Sequence, residues 1–285
     1  MRRYITTATL ATALSGIAFV GLGLGQDTIW IEVSNPRPIA QALDELEKVI
    51  GFPVHYEDVR YQAPEDVEDA TERLRNSLNR SEESSVRLMV PRTRSLSFSY
   101  LLEDSGERAP MMERAVAALV ASSNAADLPG QFAVQRYDRQ GESEFFVLPS
   151  TMRNEEGVYR STDSLLATPV SISLDEVSGV QALTEILQRI REQTGHRLEI
   201  GTVPLGALAR ARVSITADNE PAGHVLIELI KELQAPPLAL RVLFDPTVKY
   251  YAVNLHPVMP PEWSPHSDAS PTTSDGNPWF KPVSP

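Results

Sequence analysis

The first regular pattern in the chain is an alternation of apolar and polar residues that changes into helical spacing. Residues 28–33 are apolar at every second position, which predicts a strand with one buried face. Residues 39–50 are apolar at intervals of three and four, so their apolar side chains mark one side of a helix that ends at Gly51. Alternation resumes at residues 52–56 and predicts a second strand.

The same order of patterns recurs in the second half of the chain. Residues 170–174 alternate, residues 183–190 follow helical spacing, and this helix is predicted to stop at Gly195. A shift of 144 residues aligns six positions: Ile39 with Leu183, Leu43 with Leu187, Leu46 with Ile190, Gly51 with Gly195, Val54 with Leu198 and Tyr56 with Ile200. A second helix and its following strand align at an offset of 110: Val116 with Leu226, Leu119 with Leu229, Val120 with Ile230, Phe132 with Val242 and Val134 with Phe244.

These matches predict an α+β fold made of two tandem small βαββαββ units, with helices packed on small sheets. The alternative is one continuous domain whose halves look alike because amphipathic helices resemble each other. The predicted boundaries are a signal peptide at 1–25, a first unit at 27–150, a linker at 151–168, a second unit at 169–256 and a disordered Pro-rich tail at 257–285.

The first unit carries a charged insertion at about 58–94. It accounts for the drop from the first offset to the second, which is 34 residues. A narrow apolar stripe within it predicts a polar surface helix or a flexible segment: Val67, Thr71, Leu74 and Leu78.

The N-terminal segment predicts export. No charged residue lies between Arg3 and Asp27, and the basic start followed by an apolar stretch is the order of a secretory signal peptide. Small residues at Gly23 and Gly25 favour cleavage near Gln26. The alternative is an uncleaved anchor, because the uncharged run is about long enough to cross a bilayer. We expect a periplasmic or secreted protein with no membrane insertion after cleavage.

Composition narrows the classes of partner. The chain has no cysteine, which excludes disulfides, thiolate metal sites, cysteine nucleophiles and a lipid-modified cysteine. Its formal net charge is −12, and an acidic surface repels phosphate backbones and anionic lipid headgroups. We therefore expect no nucleic-acid partner.

No pattern in the sequence indicates catalysis or cofactor binding. No two of the five histidines have the i, i+4 spacing of a helical zinc site: His55, His196, His224, His256 and His266. The nucleophile turn G-x-S-x-G is absent from the mature chain, and the acidic residues 65–69 lack the glycine and terminal glutamate of a calcium loop. We interpret His55 and His224 as structural. The prediction is a non-enzyme with no catalytic, cofactor-binding or metal-binding residues.

The second half carries a more specific signal in its order of segments. Val170–Leu174 precedes a helix that ends Glu-Gln-Thr-Gly, then comes Arg197–Ile200, and Val213–Ile215 precedes the helical stretch Glu220–Ile230. This order resembles the short N-terminal (STN) domain of secretins and TonB-dependent receptors over residues 169–256, with a weaker tandem copy in 27–150. Members of that family are small periplasmic modules that bind a partner protein or pass on a signal. The resemblance implies a binding role without enzymatic activity.

Sheet edges favour the same role. Small sheets covered by helices on one face leave strand edges exposed, and an exposed edge can accept a strand from a partner. Candidate edges are Phe145–Leu148 and Val213–Thr216. We expect an exported protein-interaction or scaffolding module of the cell envelope, whose partner is another envelope protein. Two alternatives are a secreted hydrolase that acts on cell-wall or extracellular polymers through unrecognised Asp and Glu residues, and a passive surface or stalk protein.

Overall fold

A computed structural model describes most of the chain between the signal segment and the tail. The described residues are 4–5, 20–21, 27–73, 87–102, 108–139, 141–233 and 235–259. Most of the predicted signal peptide, positions 74 and 78 of the insertion and the tail from 260 onward lie outside the described residues. Helices and small sheets are mixed along the described chain, which confirms the α+β class.

The elements of the first half follow the predicted order, with short strands added. They are β1 (Tyr4–Ile5), β2 (Val20–Gly21), β3 (Asp27–Asn35), α1 (Pro38–Ile50), β4 (Val54–Glu57), a 3-10 turn (Pro64–Asp66), β5 (Val67–Asp69), β6 (Met89–Pro91), β7 (Arg94–Leu102), α2 (Arg108–Ala125), β8 (Gly130–Arg139), β9 (Glu142–Arg153) and β10 (Tyr159–Ser161).

The second half adds one short helix to the predicted order. Its elements are β11 (Pro169–Ser178), α3 (Gly179–Thr194), β12 (Leu198–Ile200), α4 (Leu205–Arg210), β13 (Arg212–Pro221), α5 (Ala222–Glu232), β14 (Leu238–Asp245) and β15 (Tyr250–Pro257).

The ends of two matched helices, α1 and α3, agree with the sequence. Helix α1 has a proline in its first turn and ends at Gly51, whose φ of 69° is left-handed. Helix α3 begins after Ser178, whose side chain accepts a hydrogen bond from the Gln181 N–H, and it ends at Gly195 with φ 70°. Glycine adopts this conformation without the steric cost of a Cβ atom, so each helix stops where the pattern predicts.

The surface-helix prediction for the insertion is wrong at Val67. Residues Val67–Asp69 form strand β5, which pairs antiparallel with β6. The pairing continues through a hydrogen bond from the Ala70 N–H to the Leu88 carbonyl. Main-chain pairing with a segment some twenty residues later therefore overrides the weak local helical spacing.

The central feature of the fold is a seven-stranded sheet with the strand order β10-β9-β4-β14-β15-β12, in which β8 also pairs with β9. Strand β4 is parallel to both β9 and β14, and β12 is parallel to β15. The pairs β8–β9 and β14–β15 are antiparallel. Two further antiparallel pairs, β3–β7 and β11–β13, form separate two-stranded sheets. Equivalent strands of the two halves thus pair in the same way.

The helices of the two halves pack on opposite faces of the large sheet. Arg241 of β14 lies beside Tyr56 of β4 and hydrogen-bonds Glu47 of α1 on one face. Phe146 of β9 lies on the other face, where its ring contacts His224 of α5. Alternate residues of a strand point to opposite faces, so helices from both halves bury the central strands on both sides.

The buried apolar side chains form one contiguous cluster. It contains Leu43 and Leu46 of α1 together with Ile186 and Ile190 of α3. Each helix pair also packs against its own two-stranded sheet, so the helices lie between a small sheet and the large one. The division into two tandem units stays a prediction, and the halves share both a sheet and a core.

Candidate functional site

The buried polar side chains concentrate where β4 meets β14, at the join between the halves. Glu47, His55, Glu57, Asp58 and Arg241 are each at most 3% exposed. A buried ionisable group is costly unless it is hydrogen-bonded or paired, so each of these side chains requires a partner.

Arg241 is held by two carboxylates of helix α1. Its Nη2 atom lies 3.0 Å from Asp44 Oδ1 and 2.9 Å from Glu47 Oε2. Glu47 also accepts a hydrogen bond from the Val54 N–H on its Oε1 at 2.8 Å, and its Oε2 lies 3.0 Å from His256 Nε2. Burial opposes ionisation of Glu47, but Arg241 and these hydrogen bonds together lower its pKa.

Within the described residues, Asp44, Glu47 and His256 form a group with the spacing of metal ligands, their ligand atoms lying within 4.8 Å of one another. The guanidinium of Arg241 already contacts both carboxylates. A metal ion would have to displace this buried cation, so the arrangement is better suited to an ion-pair network than to a metal centre. It links helix α1 to a strand of the other half.

His55 is a structural residue in this geometry. Its Nδ1 accepts a hydrogen bond from the Leu240 N–H at 3.2 Å, so its Nε2 carries the proton toward Glu144 Oε2, also at 3.2 Å. Burial disfavours the charged form of Glu144, but His55 and Lys231 of α5 lower its pKa below the usual value. Both ring nitrogens are engaged, so His55 has no free nitrogen for general-base chemistry.

Asp58 anchors the loop after β4. Its carboxylate accepts hydrogen bonds from the hydroxyls of Tyr56 at 3.0 Å and Tyr61 at 2.8 Å, and it pairs with Arg37 Nε at 2.9 Å. Burial raises the pKa of Asp58 against the opposing effect of Arg37. Arg37 also donates to the Phe244 carbonyl of β14 at 2.6 Å, which extends this network across the join.

Glu57 holds the segment that the sequence predicts to be a linker. Its carboxylate accepts from the Ser164 hydroxyl at 2.6 Å, the Leu165 N–H at 2.8 Å and the Leu166 N–H at 2.9 Å. Burial raises the pKa of Glu57 from 4.5 to about 7 despite these hydrogen bonds. Ser164, Leu165 and Leu166 are buried, so this part of the connection packs as an element of the fold.

Glu57 and Asp58, whose pKa values are raised by burial, therefore do not form a cleft that could bind a polymer. Glu57 and Asp58 are each 1% exposed, and their hydrogen bonds are made to other groups of the protein. A pair of glycosidase carboxylates needs room for substrate between them. No observation in the described residues favours the hydrolase alternative.

A polar groove opens between the halves and has a volume of about 630 Å³. Residues 161–169 form one wall, residues 193–196 form part of the other, and Arg60 lies between them. Arg60 Nη1 is 3.0 Å from His196 Nε2. The size of this groove is within the usual range for ligand sites.

One of the two predicted strand edges is wrong. Residues Phe145–Val147 of β9 pair with β4 on one side and, together with Leu148, with β8 on the other. A run of apolar residues is typical of a strand buried on both faces, and this run lies in the interior of the sheet. Val213–Thr216 lies in β13, which pairs only with β11 among the described strands.

The two small sheets differ in their edges. The β11–β13 pairing is interrupted by register shifts at both ends, where Glu176 and Asn219 have positive φ values of 50° and 56°. The β3–β7 pairing runs over all nine residues of each strand without a shift. Its outer face carries Trp30, 55% exposed, and Leu101, 47% exposed. Bulges disrupt and twist an edge, so β3–β7 is the less protected of the two sheets.

Comparisons of the chain with protein-family models, curated proteins and solved structures find no match. The resemblance to STN domains therefore stays a prediction. Among the described residues, no helix has the length and apolar character needed to span a bilayer.

The pattern of the sequence does not predict the buried polar network. His55 and Glu57 alternate with apolar residues in β4, and such alternation predicts one exposed face. Both faces of β4 are buried, because the second half of the chain packs on the face that the alternation predicts to be exposed. The run of four ionisable residues at 55–58, three of them in the four-residue strand β4, is the one local signal of unusual burial.

Proposed function

We propose that this protein is an exported, non-enzymatic interaction or scaffolding module of the cell envelope, whose partner is another envelope protein. The export pattern of the sequence, the resemblance to STN domains and the structural use of the buried ionisable groups support this role. The observation that carries it is the long, unbulged β3–β7 sheet with an exposed tryptophan on its outer face.

The β3–β7 sheet suits an extended segment of a partner. Strand β7 has nine residues and pairs only with β3 among the described strands, so the main-chain groups of its other edge can extend the ladder to an added strand. Trp30 pairs with Ser99, and Leu101 pairs with Thr28 on the same face. Trp30 and Leu101 are therefore diagonal neighbours, close enough to contact one partner side chain together.

The exposed tryptophan can supply the apolar part of the binding energy. Covering its exposed half removes on the order of 100 Å² of surface from water, which corresponds to about 2–3 kcal/mol. Trp30 lies among small hydroxyl side chains, since Ser97 and Ser99 occupy the same face. The partner is thus expected to place an apolar side chain against Trp30 and to form main-chain hydrogen bonds along the edge.

Capture of partners from an envelope extract tests this proposal. The tagged protein is compared with Trp30→Ser and with the control Leu205→Ser, which removes a side chain that is 59% exposed on α4, away from the β3–β7 sheet. We expect a stoichiometric partner whose recovery falls by about 10-fold or more in Trp30→Ser and is unchanged in Leu205→Ser. Failure to capture a stoichiometric partner, or equal recovery with Trp30→Ser, contradicts the proposal.

Hydrogen exchange then tests the mode of binding. A strand added to β7 slows exchange of amides along that edge when the captured partner is present. If the partner instead protects only amides of the β11–β13 sheet, the assignment of the surface to Trp30 is wrong.

A further inference from the structure

The groove between the halves contains an arginine without an acidic partner. Among the residues that the structure describes, Arg60 donates one hydrogen bond, to His196 Nε2 at 3.0 Å, and is paired with no carboxylate. A guanidinium has five N–H donors, so several remain for another group. Arg60 is half-buried, which strengthens its interaction with an anion relative to a fully exposed side chain.

His196 accepts a hydrogen bond from Arg60 and helps to hold its guanidinium in place. Because its Nε2 accepts from Arg60, its proton lies on Nδ1. Burial, followed by the charge of Arg60, lowers the pKa of His196, which favours this neutral form. Arg60 belongs to the loop after β4, and His196 lies just beyond helix α3, so their hydrogen bond joins the two halves at the groove.

Apart from Arg60, His196 and Asp163, the groove is lined by uncharged side chains, of which Leu165, Ala167 and Pro169 are apolar. Its polar side chains include Ser161, Thr162, Thr168, Gln193 and Thr194. The one carboxylate in its lining is Asp163, which is exposed. Hydroxyl and amide groups bind polar ligands by exchanging hydrogen bonds, whereas an apolar ligand would leave them unpaired.

We propose that this groove binds a carboxylate-bearing ligand, with the carboxylate on Arg60 and a hydroxyl- or amide-rich body along residues 161–168. The arginine fork matches the two oxygens of a carboxylate, and the volume of about 630 Å³ accommodates one or two sugar or amino-acid residues. Acidic sugars and peptide C termini share this chemistry. The site lies away from the β3–β7 sheet and is independent of the interaction proposed there.

Calorimetric titration of the full mature chain with four probes tests this inference. D-glucuronate is compared with D-glucose, and the tripeptide N-acetyl-Ala-Ser-Gly as the free acid is compared with its C-terminal amide. We expect at least one acid to bind about tenfold or more tightly than its neutral analogue, because a charge-assisted hydrogen bond is lost without the carboxylate. The acid that binds more tightly identifies the source of the ligand.

Two variants and a control connect binding to the groove. Arg60→Gln removes the charge, and Ser161→Trp fills the groove from an exposed position on β10 without entering the core. Arg212→Gln removes an exposed arginine elsewhere, on β13. Binding of the acid is expected to weaken about tenfold in Arg60→Gln and in Ser161→Trp and to be unchanged in Arg212→Gln. Circular dichroism verifies that each variant is folded.

Several results would overturn the inference. They are no saturable binding of either acid up to about 10 mM, equal affinity for acid and neutral probes, or unchanged affinity in both groove variants. If Arg60→Gln does not fold, Ser161→Trp alone decides between support and rejection.

Discussion

The clearest quantitative prediction concerns the protonation of Glu57. Its pKa rises from 4.5 to about 7 in the folded protein because the carboxylate is buried. Between these two values the folded state keeps a proton that the unfolded state has released. The free energy of unfolding therefore falls as the pH rises from about 4.5 to about 7, and it falls no further above that window as far as this group is concerned.

The size of this effect follows from the shift. Each pKa unit corresponds to 1.36 kcal/mol, so the difference between 4.5 and about 7 gives a loss of about 3 kcal/mol. Glu57 is 1% exposed, so solvent screening reduces this value little. The Glu57→Gln variant cannot titrate, and it places an amide group against the main-chain donors of Leu165 and Leu166. It lacks the pH-dependent loss.

Urea unfolding followed by circular dichroism at intervals from pH 4 to pH 8 measures the effect. The quantity of interest is the difference in unfolding free energy between the wild type and Glu57→Gln, because other titrating groups cancel in it. We expect the wild type to lose about 3 kcal/mol of unfolding free energy relative to Glu57→Gln as the pH rises from about 4.5 to about 7. The control Glu232→Gln, at an exposed end of α5, should give a constant difference. Parallel curves for Glu57→Gln would refute the reasoning.

Three further predictions address the join, the helix ends and the division into units. Arg241→Met leaves Glu47 buried without its cation and should reduce the unfolding free energy by about 3–5 kcal/mol, whereas the double variant with Glu47→Met should recover part of that loss. Urea titration measures both variants, and equal stability of the single and double variants contradicts the prediction. Gly195→Ala should lower the unfolding free energy, as measured by thermal unfolding, by about 1 kcal/mol, because the φ of Gly195 is +70°. Gly206→Ala, where nothing crowds the added methyl, should lower it by less. Residues 169–259 expressed alone should unfold at lower urea than the whole chain, because β14 loses its pairing with β4; equal midpoints would show independent units.

Local pattern predicted the four longer helices and most strands because their signals lie within a few residues. Helical spacing followed by Gly51 or Gly195 describes a complete helix with its stop, and the structure confirms both ends. The short strands β5, β6 and β10 carry no comparable periodicity. They form because the chain meets a distant partner, as β5 meets β6.

The arrangement of the halves could not be predicted from spacing. Local alternation in β4 identifies which side chains share a face, but not what covers that face. His55 and Glu57 are buried because β14 and α5, almost two hundred residues later, pack beside and over them. In contrast, the apolar run Phe145–Leu148 did carry a signal for burial on both faces, and the edge prediction overlooked it.

The pairing of β4 with β14 has a consequence for assembly. In the pairing pattern, β12 is the counterpart of β4, and β8 is the counterpart of β14. The joint between the halves is therefore head-to-tail and does not close on itself, in contrast to a two-fold contact that uses up both surfaces. The outer strands β12 and β8 are therefore the counterparts of β4 and β14, the two strands that pair inside the sheet. β12 is only three residues long, and the β8 rim carries Arg136 and Asp138, features that discourage a string of molecules from growing edge to edge.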